Sequence, residues 1–282
     1  MQISTVRPAT LAAAFALAGC GGGGGGGGGG VVSMPPPPVI SQPEIPAIIP
    51  AATTSQQFTV MGATFLDGLG STLDPGTQIK LRYDATSQSY EIYLPDGLDW
   101  QAISYDVSGA SFDDYRSDSV LMNLPKGDYQ YSRLLNWNDG ANSGHNAVGI
   151  ATPAGGVPVT GSANYAGQIQ GLTSDHNGLD FGIDGTIALS FDFALGNLSG
   201  SLSAKTNEGY ALDPLNFRDT VYSTGNTTFS GKFDTNLPGV NGFSGHFTGP
   251  SAQELIGGFA FPYSSPIDGL TYQADGAFVG AK

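Results

Sequence analysis

From Val159 onward apolar side chains recur at every second position, the period of a strand with one buried face. Ile183, Gly185, Ile187, Leu189, Phe191 and Phe193 fall on one side. Asp184, Thr186, Ala188, Ser190 and Asp192 fall on the other. Seven further rows repeat the alternation, over residues 163–169, 198–202, 215–221, 229–233, 243–247, 255–261 and 272–278. Most of them place a glycine on the apolar face, which makes room for a neighbouring ring and lets the strand coil. Asp219 interrupts the row Leu215, Phe217, Val221. The links carry turn formers such as Leu195-Gly196-Asn197, Thr224-Gly225-Asn226 and Leu237-Pro238-Gly239. Eight such strands on short links predict an up-and-down barrel filled by its own side chains. A sandwich is the alternative by pattern alone. Asp184, Asp192 and Lys232 on the outer face argue for a soluble barrel, since a lysine at mid-membrane costs about 2–4 kcal/mol.

Residues 55–150 alternate less regularly. Strands are expected over 78–83, 90–94, 101–107 and 129–135, with a hairpin joining Tyr83 to Tyr90 through Asp84-Ala85-Thr86-Ser87-Gln88-Ser89. The fold class is therefore all-β, an antiparallel β domain followed by an eight-stranded barrel.

The start of the chain is of another kind. An apolar run over residues 9–18 is about half the roughly 20 residues that span a bilayer. It suits the apolar core of a signal peptide over residues 1–19, although Arg7 is the only charge ahead of it. Cys20, the only cysteine, follows Leu17-Ala18-Gly19 and precedes ten glycines. The box Leu17-Ala18-Gly19-Cys20 resembles the lipobox of bacterial lipoproteins, which implies cleavage before Cys20 and acylation of its sulfur. Two or more acyl chains anchor a protein stably, at about 0.8 kcal/mol per buried methylene. Gly21 stands where an aspartate is associated with inner-membrane retention. Residues 20–54 read as a tether. The glycine tract is a coil spanning about 17–19 Å, and Pro35-Pro36-Pro37-Pro38 is semi-rigid polyproline. With one cysteine there is no intramolecular disulfide, so the fold rests on its core.

Formal net charge is -14. Residues 55–156 hold twelve acidic and five basic side chains, and residues 157–282 hold eleven and four. Such a chain lacks the basic stripe of a nucleic-acid binder and does not lie flat on an anionic membrane. No Gly-x-Ser-x-Gly elbow, His-Glu-x-x-His pair or phosphate loop occurs, which speaks against an enzyme. The glycine tract matches a dinucleotide fingerprint only trivially, with no strand before it and no helix after it. His145 and His176 fall in glycine- and asparagine-rich stretches read as exposed loops, and His246 falls out of phase with Phe243 and Phe247 and is expected to point outward. No metal site and no cofactor is expected. Asp113-Asp114, with Asp118, reads as a solvated acidic turn.

Three stretches together resemble the transferrin-binding protein B family of surface lipoproteins. They are Gly127-Asp128-Tyr129-Gln130-Tyr131-Ser132-Arg133-Leu134-Leu135-Asn136-Trp137; Thr152-Pro153 followed by Val157-Pro158-Val159-Thr160-Gly161-Ser162-Ala163-Asn164-Tyr165-Ala166-Gly167; and Gly245-His246-Phe247-Thr248-Gly249-Pro250-Ser251-Ala252-Gln253-Glu254-Leu255-Ile256-Gly257-Gly258. The closing Phe278-Val279-Gly280-Ala281-Lys282 adds to it. The resemblance implies one lobe, a handle-like β domain over 55–150 and a barrel over 157–282. It implies a lipid-anchored, surface-exposed outer-membrane protein that captures an iron-carrying protein or a small iron compound. The cargo would pass to a TonB-dependent outer-membrane receptor, and surface lipoprotein export machinery would deliver the protein itself. A carrier of haem or another small ligand, and an adhesin or structural surface protein, are the alternatives. Candidate contact residues are Tyr210, in the connection 205–215, and Tyr263, in the loop 262–270. Glu254 is expected to bond backbone amides or cap a short helical turn entered through Pro250.

Overall fold

The computed structural model describes residues 47–66, 70–74, 78–95, 97–174 and 180–282. The expected signal peptide, Cys20, His176 and the tether as far as residue 46 lie outside the described residues.

The first part is a ten-stranded antiparallel sheet built from β1 (Gln56–Gln57), β2 (Thr59–Leu66), β3 (Gly70–Thr72), β4 (Lys80–Asp84), β5 (Ser89–Tyr93), β6 (Gln101–Ser108), β7 (Phe112–Arg116), β8 (Leu121–Pro125), β9 (Ser132–Asn138) and β10 (Ser143–Gly149). Its order is β1-β4-β5-β6-β7-β8-β9-β10-β2-β3. The hairpin between Tyr83 and Tyr90 forms as the sequence predicts. Asp84 organises it by accepting from the Thr86 amide (2.9 Å) and the Ser87 hydroxyl (2.8 Å). One face buries Leu81, Ile92, Tyr115, Met122, Leu135, Trp137 and Val148. Ile48 and Ile49 are fully buried in the same core. The tether expected to run to Thr54 therefore gives way to the folded body earlier, because two isoleucines add apolar area that the sheet covers.

A buried polar chain crosses this core. Trp137 Nε1 donates to Asn146 Oδ1 (2.8 Å), and Asn146 Nδ2 donates to Gln78 Oε1 (2.6 Å). Gly144 stands beside it because a Cβ there would lie 2.2 Å from Trp137 Nε1. Each polar group is satisfied, which is what makes their burial tolerable.

The second part is a closed barrel of β11 (Ser162–Ser174), β12 (Asp180–Asp192), β13 (Asn197–Thr206), β14 (Leu215–Val221), β15 (Thr228–Phe233), β16 (Gly242–Thr248), β17 (Glu254–Ser264) and β18 (Thr271–Ala281), in sequential order. All eight expected rows form strands, and closure settles the choice between barrel and sandwich. The interior is packed with rings. Phe191 sits 4.8 Å from Phe247, 5.1 Å from Phe229 and 5.2 Å from Tyr222. Glycines lie directly across the strand pairs from phenylalanines: Gly245 from Phe229, Gly231 from Phe243, Gly257 from Phe278 and Gly276 from Phe259. One position departs from the expected row. Asp219 adopts φ +47° at a β-bulge between Arg218 and Val221. The bulge turns Val221 outward and brings Tyr222 into the core instead.

The sheet packs on the outer wall of β17 and β18, so these strands are buried on both faces. Ile256, Ala277 and Val279 meet Leu134, Ala147 and Met61 there. Backbone approach is close: a Cβ on Gly258 would lie 3.0 Å from the Gly62 nitrogen. Gly62 itself has φ +137°, a conformation only glycine adopts readily.

Candidate binding surface at the far end of the barrel

Where the chain enters its folded body orients the barrel. The Ala51 amide donates to the Gln130 carbonyl (3.0 Å), and the Gln130 amide donates to Glu254 Oε1 (2.7 Å). Glu254 opens β17, so the chain enters beside the β16–β17 link. In an up-and-down barrel alternate links share one end. The near end thus holds the links 193–196, 222–227 and 249–253, and among the described residues the far end holds 207–214, 234–241 and 265–270.

Glu254 fastens the near end to the sheet. It is almost fully buried. Besides the Gln130 amide its carboxylate accepts from the Tyr131 amide (3.0 Å) and the Ser132 hydroxyl (2.6 Å). It bonds backbone amides as expected, but those of the sheet. The residues before it form a turn rather than the expected helical turn, with Ala252 at φ +54°. The connection between the two parts is fastened alongside. The Thr152 amide donates to the Phe247 carbonyl (2.9 Å), and Thr152 Oγ1 donates to the Gly249 carbonyl (2.7 Å).

The two ends differ in chemistry. The near-end links contain no Asp, Glu, Lys, Arg or His. The three described far-end links contain Glu208, Asp213, Asp234 and Asp268 and no Lys, Arg or His. They expose Tyr210, Val240, Ile267 and Leu270, by 46% to 64% of their surface, and the near-end link 193–196 exposes Leu195 by 72%, so the charge is what separates the ends. Hydrogen bonds hold these links in shape. Gln273 clasps Val240 by accepting from its amide (3.1 Å) and donating to its carbonyl (3.0 Å). Asp268 accepts from the Leu270 amide (3.0 Å) and the Tyr272 hydroxyl (2.7 Å). Asn241 brackets Phe233 by accepting from its amide (2.9 Å) and donating to its carbonyl (2.9 Å). A fixed surface of exposed apolar side chains binds with less ordering cost than a mobile one.

Between these links lies a cavity of about 290 Å³, lined by Leu215, Leu237, Pro262, Tyr263, Asp213 and Asp234 among others. Of the two tyrosines read from the sequence, Tyr210 is exposed at the rim. Tyr263 is buried instead: it points into the barrel end, accepts from Thr173 Oγ1 (2.7 Å) and packs 6.2 Å from the Tyr272 ring. It forms the floor of the cavity, because residue 263 continues the inward row Phe259, Phe261 instead of leaving the strand. Val240, Ile267, Leu270 and the two carboxylates were not singled out in the sequence. The signal available was charge counted link by link rather than by halves.

The other titratable residues do not gather into a site. His145 is not in a loop: it lies in β10 between Ala63 and Asn136, edge-on to Phe65 at 6.3 Å. Burial lowers its pKa to about 4, so the ring is neutral near pH 7. His246 is half-buried on the outer wall, with its ring beside the surface that Met61 and Ser244 also line. Asp113 and Asp114 lie in β7 rather than in a turn, and buried Asp113 pairs with Arg133 at 2.9 Å. Among the described residues no three His, Cys, Asp or Glu side chains come together as metal ligands would.

Comparison with known proteins locates this architecture. The family described as C-lobe and N-lobe beta barrels of Tf-binding protein B matches residues 157–282. No curated protein sequence matches the chain. Among solved structures, a double mutant of transferrin-binding protein B from Haemophilus parasuis Hp5 has a TM-score of 0.50 at 18% identity, over 79% of this chain and 44% of that one. A single mutant of the same protein has a TM-score of 0.49 at 18% identity, over 79% and 45%. The isotype 1 protein of serogroup B Neisseria meningitidis has a TM-score of 0.49 at 16% identity, over 79% and 43%. The chain spans under half the length of these structures, and at such identity the likeness is one of fold. Residues 157–282, which match the model of the transferrin-binding protein B barrels, close into an eight-stranded barrel that follows a ten-stranded sheet.

Proposed function

We propose that the protein is a lipid-anchored outer-membrane lipoprotein that captures an iron source at the cell surface with the far end of its barrel. The cargo is an iron-carrying protein or a small iron compound, handed on to an outer-membrane receptor. The acidic links carry this reading: Glu208, Asp213, Asp234 and Asp268 stand in links at the barrel end opposite Glu254, beside exposed Tyr210, Val240, Ile267 and Leu270. The family match supports a binding protein rather than an enzyme. The ring-filled interior favours capture on the loops over a solute carried inside the barrel.

The anchor is tested by Cys20→Ala. The variant is expected to fold normally and to leave the membrane fraction for the soluble one, measured by fractionation after a high-salt wash. Retention of the variant in the washed membrane would contradict an acyl anchor.

A further inference from the structure

We propose that the far-end cavity receives an arginine or lysine side chain of a protein partner, from a stretch whose neighbouring residues are apolar. The inference rests on the far end being the capture surface and names the chemistry it selects. A basic side chain has an apolar stem and a charged head. The cavity offers both counterparts, with walls of Leu215, Leu237 and Pro262 and the carboxylates of Asp213 and Asp234. An arginine fork suits recognition by carboxylates best. Among the described residues Asp234 pairs with Arg218 at 3.8 Å, with both side chains well exposed. A pair of that kind contributes little and yields to a better-placed cation. Asp268 already accepts two hydrogen bonds and is not part of the receptor.

The surroundings extend the match. Tyr210, Val240, Ile267 and Leu270 supply an apolar rim, and contacts of that kind exclude water around a central charged anchor. The acidic bias of the three described links, set against near-end links that carry no charge, favours the approach of a basic surface to this end.

The test uses the full chain carrying Cys20→Ala and a defined probe, the peptide acetyl-Gly-Leu-Arg-Leu-Gly-amide, with citrulline in place of arginine as its neutral twin. Amide shifts are followed by NMR. The arginine peptide is expected to shift residues 207–214, 234–241 and 265–270 saturably. The citrulline peptide should bind about tenfold more weakly, the loss of one charge-assisted hydrogen bond. Asp213→Asn and Asp234→Asn should each weaken the arginine peptide several-fold and leave the citrulline peptide unchanged. Equal affinity of the two peptides, shifts centred elsewhere, or no saturation in the millimolar range would overturn the inference. If that happened while rim substitutions still abolished use of an iron source by cells, only the basic anchor would fall. If the arginine preference held and iron use were unaffected by the rim, the capture reading would fall instead.

Discussion

Replacing Glu254 with glutamine is expected to lower the unfolding free energy by about 3 kcal/mol and to loosen the sheet from the barrel. The carboxylate accepts from two backbone amides and one hydroxyl, and it is buried where water cannot replace it. Glutamine keeps one acceptor oxygen and turns an NH2 group toward a donor, so at least one buried N–H or O–H loses its partner. The effect exceeds that of Ser132→Ala, which removes one hydroxyl and should cost about 1 kcal/mol. In urea the Glu254→Gln midpoint should fall by about 1 M. Amide exchange should accelerate first at Gln130, Tyr131 and Ser132. A midpoint unchanged from that of the parent protein would mean that the apolar junction of Ile256, Val279 and Leu134 holds the parts together without the carboxylate.

Gly257→Val is expected to be at least as damaging, at about 3 kcal/mol or more. A Cβ at residue 257 would lie 2.0 Å from Phe278 Cζ and 2.4 Å from the Ser244 carbonyl oxygen. The ring occupies the space the glycine leaves, so the two positions are coupled. Phe278→Ala alone removes a fully buried ring and should cost about 3–5 kcal/mol. The double variant should be less destabilised than the sum of the singles by about 1 kcal/mol or more. Strict additivity in thermal or urea unfolding would show that the ring is not what the valine meets.

Most of the barrel was legible because its period-two rows coincide with one buried face. The strands buried on both faces were legible from their inner rows alone. Their outer residues Ile256, Ala277 and Val279 are buried for a reason lying outside the barrel, in a sheet that alternation does not reveal. That sheet was the less readable part. Its strand β10, Ser143–Gly149, reads as a polar loop, yet Trp137 and Gln78 satisfy Asn146 and Gly144 makes room for the indole. Ile48 and Ile49 looked like tether because prolines surround them. The candidate surface is only partly legible. The loop carrying Tyr210 lies at a barrel end, but Tyr263, expected in a loop, still belongs to the strand. The acidic bias of the far-end links disappears when charge is summed over whole halves of the chain.

The capture of an iron source by the far end is tested most directly in living cells. The triple variant Tyr210→Ala, Ile267→Ser, Leu270→Ser changes only exposed side chains and should leave folding and surface display intact. Growth is measured under iron limitation, with individual iron-carrying proteins and small iron compounds as the only iron source. The account predicts that the variant fails on at least one source that supports the parent strain, and that free iron restores its growth. Unchanged growth of the variant on every such source would contradict it.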